Sequence, residues 1–230
     1  MVLKSPEEEI FMNKTRAGLC TLALFLLLHV PVLAADAGPQ TLQDAGLVEL
    51  VALDPSVVLD IRYATTDNFV GKIVYPTAKC FLRKEVAERL VQVQRDVQSQ
   101  GYGLKVFDCY RPFSVQKIFF QIVPDPNFVA QPKEVDGKPV EGSKHNRGAA
   151  VDLTLVDKAG KELPMPTPFD DFTEKARPDY QGSDPAARKN MLTLQDAMKK
   201  QGFAPIGSEW WHFDSQGWEK YGLLDVSLPQ

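Results

Sequence analysis

Two histidines carry most of the chemical information in this chain, because each lies in a short polar motif that suits a metal ion. The 230 residues include three histidines, of which His29 lies in an apolar N-terminal stretch. His145 is followed by Asp152, and His212 is preceded by Glu209. Histidine and carboxylate side chains together form hydrolytic zinc sites, in which three protein ligands leave a fourth position for water. These residues predict an enzyme with a metal centre.

The first motif joins a predicted loop to a predicted strand. Gly148 allows a tight bend after His145, and Asp152 then alternates with the apolar residues Val151 and Leu153. Alternation places Asp152 on the opposite face of the strand from the apolar set. A loop histidine and a strand aspartate can then meet at one ion. Taken alone, the pair also fits a surface loop followed by an exposed strand residue.

The second motif places a histidine among large aromatic residues. His212 is flanked by Trp211 and Phe213, where an unpaired imidazole would be costly to bury. Metal ligation removes that cost, and Glu209 lies close enough in sequence to take a proton from the attacking water. The alternatives are a core histidine hydrogen-bonded to a carbonyl group and a glutamate in a salt bridge.

The upstream elements alternate between strand and helix. Residues 57–63 and 104–110 are rich in β-branched and aromatic side chains, which predicts two strands. Apolar residues spaced by three and four predict an amphipathic helix over residues 82–100. A second, shorter helix is predicted over residues 115–123, with Ser114 as its N-cap.

The downstream elements carry both histidine motifs. Residues 124–144 lack periodicity and predict a long surface loop, and residues 149–156 predict a strand with a hairpin partner at 161–163. Asp184 and a following proline predict a helix that closes at Gly202.

The order of elements favours an α+β fold. Two strand-like pieces, at residues 203–206 and 211–214, follow the last helix and surround the second histidine. The order is mixed, with hairpin signals in place of a regular βαβ alternation. We therefore expect a single domain over residues 35–230, with a mostly antiparallel central sheet and flanking helices.

The N-terminus predicts a secretory signal over residues 1–34. Lys14 and Arg16 are basic, residues 19–33 are apolar, and Ala34 offers a small residue for cleavage. A start at Met12 would leave a conventional leader, and the alternative is an uncleaved membrane anchor. We therefore expect an exported protein, most plausibly periplasmic, without stable membrane association after cleavage.

Charge argues against a nucleic-acid-binding protein, and the cysteine content bears on the redox compartment. The net charge of −4 and pI near 5.5 provide no basic surface for nucleic acid. After the leader, the chain retains Cys80 and Cys109. An oxidising compartment permits a disulfide between them, and two buried free thiols are the alternative.

The motifs together resemble a known family, the zinc D-Ala-D-Ala peptidases. The resemblance rests on Ser-x-His-x-x-Gly-x-Ala-x-Asp at 143–152 and Glu-x-Trp-His at 209–212. It is closest to the D-alanyl-D-alanine dipeptidases of the vancomycin-resistance (VanX) type. Further matching segments extend it over most of residues 47–214; they lie at 59–65, 68–71, 108–112 and 167–170. The resemblance implies a fold of the Hedgehog/DD-peptidase kind.

The resemblance also implies roles for individual residues. His145, Asp152 and His212 are similar to the ligands of one zinc ion per chain, and Glu209 to the catalytic base. Arg111 resembles an arginine that stabilises the charged tetrahedral species, and a guanidinium is suited to this because it stays charged and binds an oxyanion with two donors. The alternative for Arg111 is a structural role at the turn that follows it.

Two further residues are implied in substrate binding. Asp170 resembles an acidic residue that receives the free ammonium of the substrate, which would favour dipeptides over longer chains. Ser143 is similar to a serine that contacts the substrate, although it could instead shape its own loop.

These inferences lead to one expected function and two alternatives. We expect zinc-dependent hydrolysis of D-Ala-D-Ala to two D-alanines, outside the cytoplasm, in cell-wall turnover or scavenging. A murein D,D-carboxypeptidase or endopeptidase would use the same chemistry on a longer peptide. A non-catalytic zinc-stabilised binding domain would need neither Glu209 nor Arg111.

Overall fold

A five-stranded sheet lies at the centre of the protein in the computed structural model, which describes residues 39–230. The expected signal peptide over residues 1–34 and the expected start at Met12 lie outside the described residues. The described residues group into one compact unit. Within residues 39–230, no helix combines the length and apolar character needed to cross a bilayer.

The described residues contain nine strands and four α-helices. The strands are β1 (Leu47–Glu49), β2 (Val58–Leu59), β3 (Phe81–Arg83), β4 (Gly103–Asp108), β5 (Lys133–Val135), β6 (Lys138–Glu141), β7 (Ala150–Val156), β8 (Phe203–Pro205) and β9 (His212–Ser215). The helices are α1 (Leu50–Leu53), α2 (Lys84–Ser99), α3 (Phe113–Ile122) and α4 (Pro185–Lys200). Short 3-10 helices occur at Arg62–Ala64, Lys144–Arg147, Glu174–Ala176 and Trp218–Lys220.

The central sheet has the order β2-β4-β7-β9-β8. Strand β2 runs parallel to β4, whereas the β4–β7, β7–β9 and β8–β9 pairs are antiparallel. Two small antiparallel pairs, β1–β3 and β5–β6, stand apart from this sheet. A mixed sheet combined with helices confirms the α+β class expected from the order of elements.

Two long helices pack on the sheet and against each other. Helix α2 contacts β4, and α4 contacts β7 and β8. The three-and-four spacing that predicts α2 corresponds to a buried apolar face, including Val86, Leu90 and Val97. The Asp184 side chain accepts hydrogen bonds from the first turn of α4, which confirms the predicted N-cap.

Several expected boundaries were wrong for identifiable physical reasons. Residues 57–63 pair with β4 only briefly, and the chain then turns into a 3-10 helix that closes an Ala64 N–H to Ile61 carbonyl bond. Helix α2 begins two residues later than expected because Phe81–Arg83 pairs with β1. Helix α3 begins at Phe113, and its N-cap is Pro112, not Ser114.

Further corrections concern the stretches expected to be irregular or paired. The expected loop over residues 124–144 contains the β5–β6 hairpin, whose turn uses Asp136 and Gly137 at positive φ. The hairpin partner expected at 161–163 is reduced to an isolated bridge between Val156 and Glu162.

The two cysteines of the described chain form a disulfide. Cys80 and Cys109 have Cα atoms 5.3 Å apart, and both residues are buried. This distance lies within the normal range for a bridge. The structure therefore has the disulfide and not the alternative of two buried free thiols.

Candidate active site

Two carboxylate side chains and one imidazole lie in one row across the central sheet. Asp108 at the end of β4 is the register partner of Asp152 in β7, and Asp152 is in turn the partner of His212 in β9. Opposed residues on neighbouring strands hold their side chains on the same face and close together. The sheet register therefore brings Asp152 and His212 to one point.

His145 reaches the same point from a 3-10 helix. Ser143 caps that helix, since its hydroxyl accepts the His145 N–H at 3.2 Å and its own N–H donates to Asn146 Oδ1 at 2.8 Å. Gly148 ends the helix at φ 65°, where a Cβ would also collide with Leu47. This glycine turns the chain directly from His145 into β7.

The three side chains present their ligand atoms at the spacing of a metal site. Asp152 Oδ1 lies 3.3 Å from His145 Nε2 and 3.0 Å from His212 Nδ1, and the two nitrogens are 3.1 Å apart. Ligands about 2.0–2.1 Å from a tetrahedral zinc ion are separated by roughly 3.3 Å. The observed triangle therefore fits three of the four positions around such an ion.

Hydrogen bonds on the far side of each imidazole support the same conclusion. His145 Nδ1 lies 2.7 Å from the Cys109 carbonyl oxygen, and His212 Nε2 lies 2.9 Å from Asp214 Oδ1. Both partners are acceptors, so each outer nitrogen carries the proton and each inner nitrogen presents a lone pair. Asp152 Oδ1 is buried without a hydrogen-bond partner. Three facing acceptor atoms form a site suited to a divalent cation.

Glu209 lies beside this triangle. Its Oε2 is 3.9 Å from His212 Nδ1, and the residue is only 6% exposed. Burial raises the pKa of Glu209 to about 7. A carboxyl group with a pKa near neutrality can both accept and return a proton at physiological pH. The segment that carries it is anchored because Trp210 Nε1 donates to Thr167 Oγ1 at 3.0 Å.

Arg111 is held by two buried side chains and an aromatic ring. Its Nε and Nη2 donate to Asp108 Oδ2 at 3.1 and 2.7 Å, and its Nη1 donates to Gln116 Oε1 at 2.8 Å. The guanidinium carbon lies 4.5 Å from the centre of the Phe119 ring. A guanidinium has five N–H donors, so two remain for a ligand in the pocket that Arg111 lines.

Asp108 and Gln116 are functional neighbours that the sequence reasoning missed. Asp108 lies within a matched motif, but its role depends on contacts beyond the motif. Its Oδ1 accepts from the Tyr75 hydroxyl at 2.8 Å while its Oδ2 binds Arg111. An aspartate three residues before Arg111 is the available sequence signal for Asp108, whereas no comparable signal marks Gln116.

Asp170 lines the same pocket. Its two carboxylate oxygens accept from the Tyr63 hydroxyl at 3.2 and 3.1 Å. Burial, followed by the charge of Asp152, raises the pKa of Asp170 well above its ordinary value. Asp170 also has φ 61°, a left-handed conformation that costs a non-glycine residue about 1–3 kcal/mol.

The pocket that contains these groups is small and partly aromatic. Its volume is about 280 Å³. All seven residues expected to form the site line it: Arg111, Ser143, His145, Asp152, Asp170, Glu209 and His212. Aromatic side chains complete its wall, namely Tyr63, Phe69, Phe119, Phe128, Phe172 and Trp211.

A buried His–Asp–His triangle with an adjacent glutamate and arginine is the arrangement of a hydrolytic metalloenzyme. Residues 43–223 match a sequence model of a family described as D-ala-D-ala dipeptidase (Peptidase_M15). The chain belongs to this metallopeptidase family.

Curated relatives agree with the family match. The chain is 36% identical over 178 residues to a D-alanyl-D-alanine dipeptidase of Escherichia coli (strain K12), a match that covers 77% of this chain and 89% of the relative. It is 33% identical to the Enterococcus faecium D-alanyl-D-alanine dipeptidase, over 67% of this chain and 83% of that one. A protein of the same name from Enterococcus faecalis is 32% identical, over 74% and 87%.

Proposed function

We propose that this protein hydrolyses D-Ala-D-Ala to two D-alanines, with zinc held by His145, Asp152 and His212. The observation that carries the proposal is the ligand triangle, which shares a pocket of about 280 Å³ with Glu209 and Arg111. When bound, zinc polarises a carbonyl group and lowers the pKa of a water molecule toward about 7.

Glu209 has the position and proton affinity of a general base and acid. It takes a proton from the attacking water and passes it to the departing amine. Burial holds its pKa near 7, so one side chain serves both transfers at neutral pH. Its distance from His212 Nδ1 keeps it beside the ligand triangle without being part of it.

Arg111 stabilises negative charge that develops on the substrate oxygen. Asp108 and Gln116 hold three of its five N–H donors, which fixes the plane of the guanidinium. A donor fixed in advance loses no reorganisation energy when the charge develops. The buried salt bridge with Asp108 thus has a positioning role as well as a structural one.

Asp170 receives the free ammonium of a dipeptide. Tyr63 donates to both of its oxygens, which orients the carboxylate within the pocket. A stem peptide extended at its N-terminus has no ammonium at this position. The small pocket and Asp170 together favour a dipeptidase over a murein carboxypeptidase or endopeptidase.

The test compares three substrates with one protein. Purified protein loaded with zinc is incubated with D-Ala-D-Ala, L-Ala-L-Ala and a stem pentapeptide, and initial rates are measured. We expect the highest kcat/KM for D-Ala-D-Ala. A higher value for the pentapeptide would replace the proposal by a murein peptidase. No hydrolysis by a protein that binds zinc would favour a non-catalytic zinc-stabilised domain.

We further propose that the protein is exported and acts in cell-wall turnover or dipeptide scavenging. Support comes from the signal-like composition of residues 1–34 and from the Cys80–Cys109 disulfide, since disulfides persist in oxidising compartments. Fractionation with intact-mass analysis is the test. A cytoplasmic, uncleaved protein would contradict this part of the proposal.

A further inference from the structure

The stretch between β4 and α3 contributes to the metal site and also carries the arginine of the pocket, although it has no regular secondary structure. Residues 109–112 follow the last residue of β4 and precede the first residue of α3. The Cys109 carbonyl oxygen lies 2.7 Å from His145 Nδ1, and Arg111 lies two residues further on. Neither helix nor sheet hydrogen bonds fix this stretch, so its position depends on contacts from elsewhere.

Strand β3 supplies several of those contacts. Cys80, the residue before β3, forms the disulfide with Cys109, and the Phe81 carbonyl accepts the Tyr110 N–H at 2.9 Å. The Arg83 N–H donates to the Gly148 carbonyl at 2.9 Å, at the end of the loop that carries His145. Strand β3 therefore contacts both the 109–112 stretch and the loop that carries His145.

The disulfide connects the irregular stretch to a part of the chain that is already fixed. The Cys80 carbonyl accepts the Leu50 N–H at 2.9 Å, and the residues after Cys80 pair with β1. Cys80 and Cys109 are 0% and 2% exposed, so the bridge is closely surrounded by the core. A covalent bond to a buried residue beside the β1–β3 pair restricts the Cys109 backbone more than a single hydrogen bond can.

We infer that the Cys80–Cys109 disulfide is a positioning crosslink for the active site, which fixes the carbonyl that orients His145 and the segment that carries Arg111. This inference rests on the proposed metal-ligand role of His145. Reduction by a dithiol, which is itself oxidised to a disulfide, transfers two electrons and two protons to the bridge, yields two thiols and removes the covalent restraint on the Cys109 backbone. Zinc then binds more weakly, and Arg111 is less well placed.

The test removes the bridge while the rest of the core is kept. A Cys80→Ala/Cys109→Ala protein is compared with the oxidised wild type and with Val97→Ala, a control in α2. Val97 is fully buried and is not among the residues that line the active-site pocket. Three quantities are measured: zinc affinity by competition with a chelator, kcat and KM for D-Ala-D-Ala, and the melting temperature of the zinc-free proteins.

We expect about 10- to 100-fold weaker zinc binding in the double variant, the usual effect of losing support for a metal-bound histidine. We also expect at least a several-fold lower kcat at saturating zinc. Val97→Ala is expected to melt at a lower temperature with unchanged zinc affinity. A double variant that melts lower but keeps zinc affinity and kcat within twofold of wild type would overturn the inference, because the bridge would then act only on global stability.

Wild-type protein refolded with a phosphine reductant provides the same sequence without the bridge and without a change of side chains. The same loss of zinc affinity is expected. Failure of both the reduced chain and the double variant to recover near-ultraviolet circular dichroism would contradict the inference, since the bridge would be a requirement of the whole fold. If oxidised wild type neither binds zinc nor cleaves the dipeptide, the proposed function fails instead.

Discussion

The two ends of the active-site pocket are built differently. At the metal end, Asp152 and His212 lie in paired strands, and each imidazole has a hydrogen-bond acceptor behind it. At the substrate end, Asp170 lies in a loop with positive φ, and aromatic side chains such as Phe128 and Phe172 form the wall. The sheet thus carries two of the three proposed metal ligands, whereas a loop carries the residue proposed to bind the substrate. Changes at the two ends should alter different quantities.

The largest effect is expected at the metal end, from loss of the proposed base. Glu209→Gln keeps the size of the side chain but cannot accept the proton from water. We expect kcat to fall by roughly a hundred- to ten-thousandfold, with zinc affinity close to wild type. Steady-state kinetics and a chelator titration measure the two quantities. Wild-type turnover by a zinc-loaded Glu209→Gln protein would show that another group is the base.

The next effect is expected at the substrate end. Asp170→Asn removes the carboxylate that we propose receives the substrate ammonium, and loss of one partner from a buried charge pair costs about 2–5 kcal/mol, or roughly 30- to 5000-fold. We expect most of this loss to appear as a higher KM for the free dipeptide. N-acetyl-D-Ala-D-Ala lacks the ammonium and serves as the control, since both proteins should cleave it equally slowly. An unchanged KM for the free dipeptide would remove Asp170 from substrate binding.

A smaller effect is expected behind the metal end. Asp214 lies 2.9 Å from His212 Nε2 and also 3.6 Å from the Lys144 ammonium. Asp214→Asn should weaken zinc binding about 10- to 100-fold, because the ligand imidazole loses a charged acceptor. At saturating zinc, KM for the dipeptide should stay close to wild type. A changed KM with unchanged zinc affinity would show that the two ends are not separate.

The smallest effect concerns stability and has the opposite sign to the loss of function. Because burial raises the pKa of Asp170, the folded state holds the proton at pH values where the unfolded chain has released it. The free energy of unfolding therefore falls as pH rises from the ordinary pKa, 3.8, toward the raised one. Asp170→Asn has no ionisable group at this position, so its free energy of unfolding does not fall with pH for this reason.

Zinc-free Asp170→Asn protein should accordingly melt higher than wild type at pH 8, by roughly 2–4 °C per kcal/mol regained. The difference should disappear near pH 3, where the wild-type carboxyl is protonated in both states. Melting curves followed by circular dichroism across this range provide the measurement. A lower melting temperature at pH 8 would mean that the carboxylate stabilises the fold.

The sequence predicts those parts of the molecule whose signals are local. Helix α2 follows from apolar spacing, and the cap of α4 from Asp184 and the proline after it. The short β5–β6 hairpin was missed because its strands are largely exposed and carry no apolar alternation. The sequence predicts strand through the 3-10 helix after β2 because Ile61 and Tyr63 are β-branched and aromatic; both are buried, but the pairing with β4 ends at Leu59.

The residues of the site were easier to foresee than their supports. Motif spacing was enough to select His145 and His212, which the structure brings together. Asp214 and Tyr63 were not foreseen, because each acts through a partner whose position only the folded chain defines. Tyr63 and Asp170, for example, are 107 residues apart in sequence. The disulfide likewise could not be decided without the distance between its two cysteines.

The row of Asp108, Asp152 and His212 also has a consequence for the order of folding. These residues lie on three strands that are distant in the chain, and they meet only when β4, β7 and β9 have paired in one register. A shift of one residue would send Asp152 or His212 to the opposite face of the sheet. The complete ligand set therefore exists only after this non-local pairing, which is slow to form.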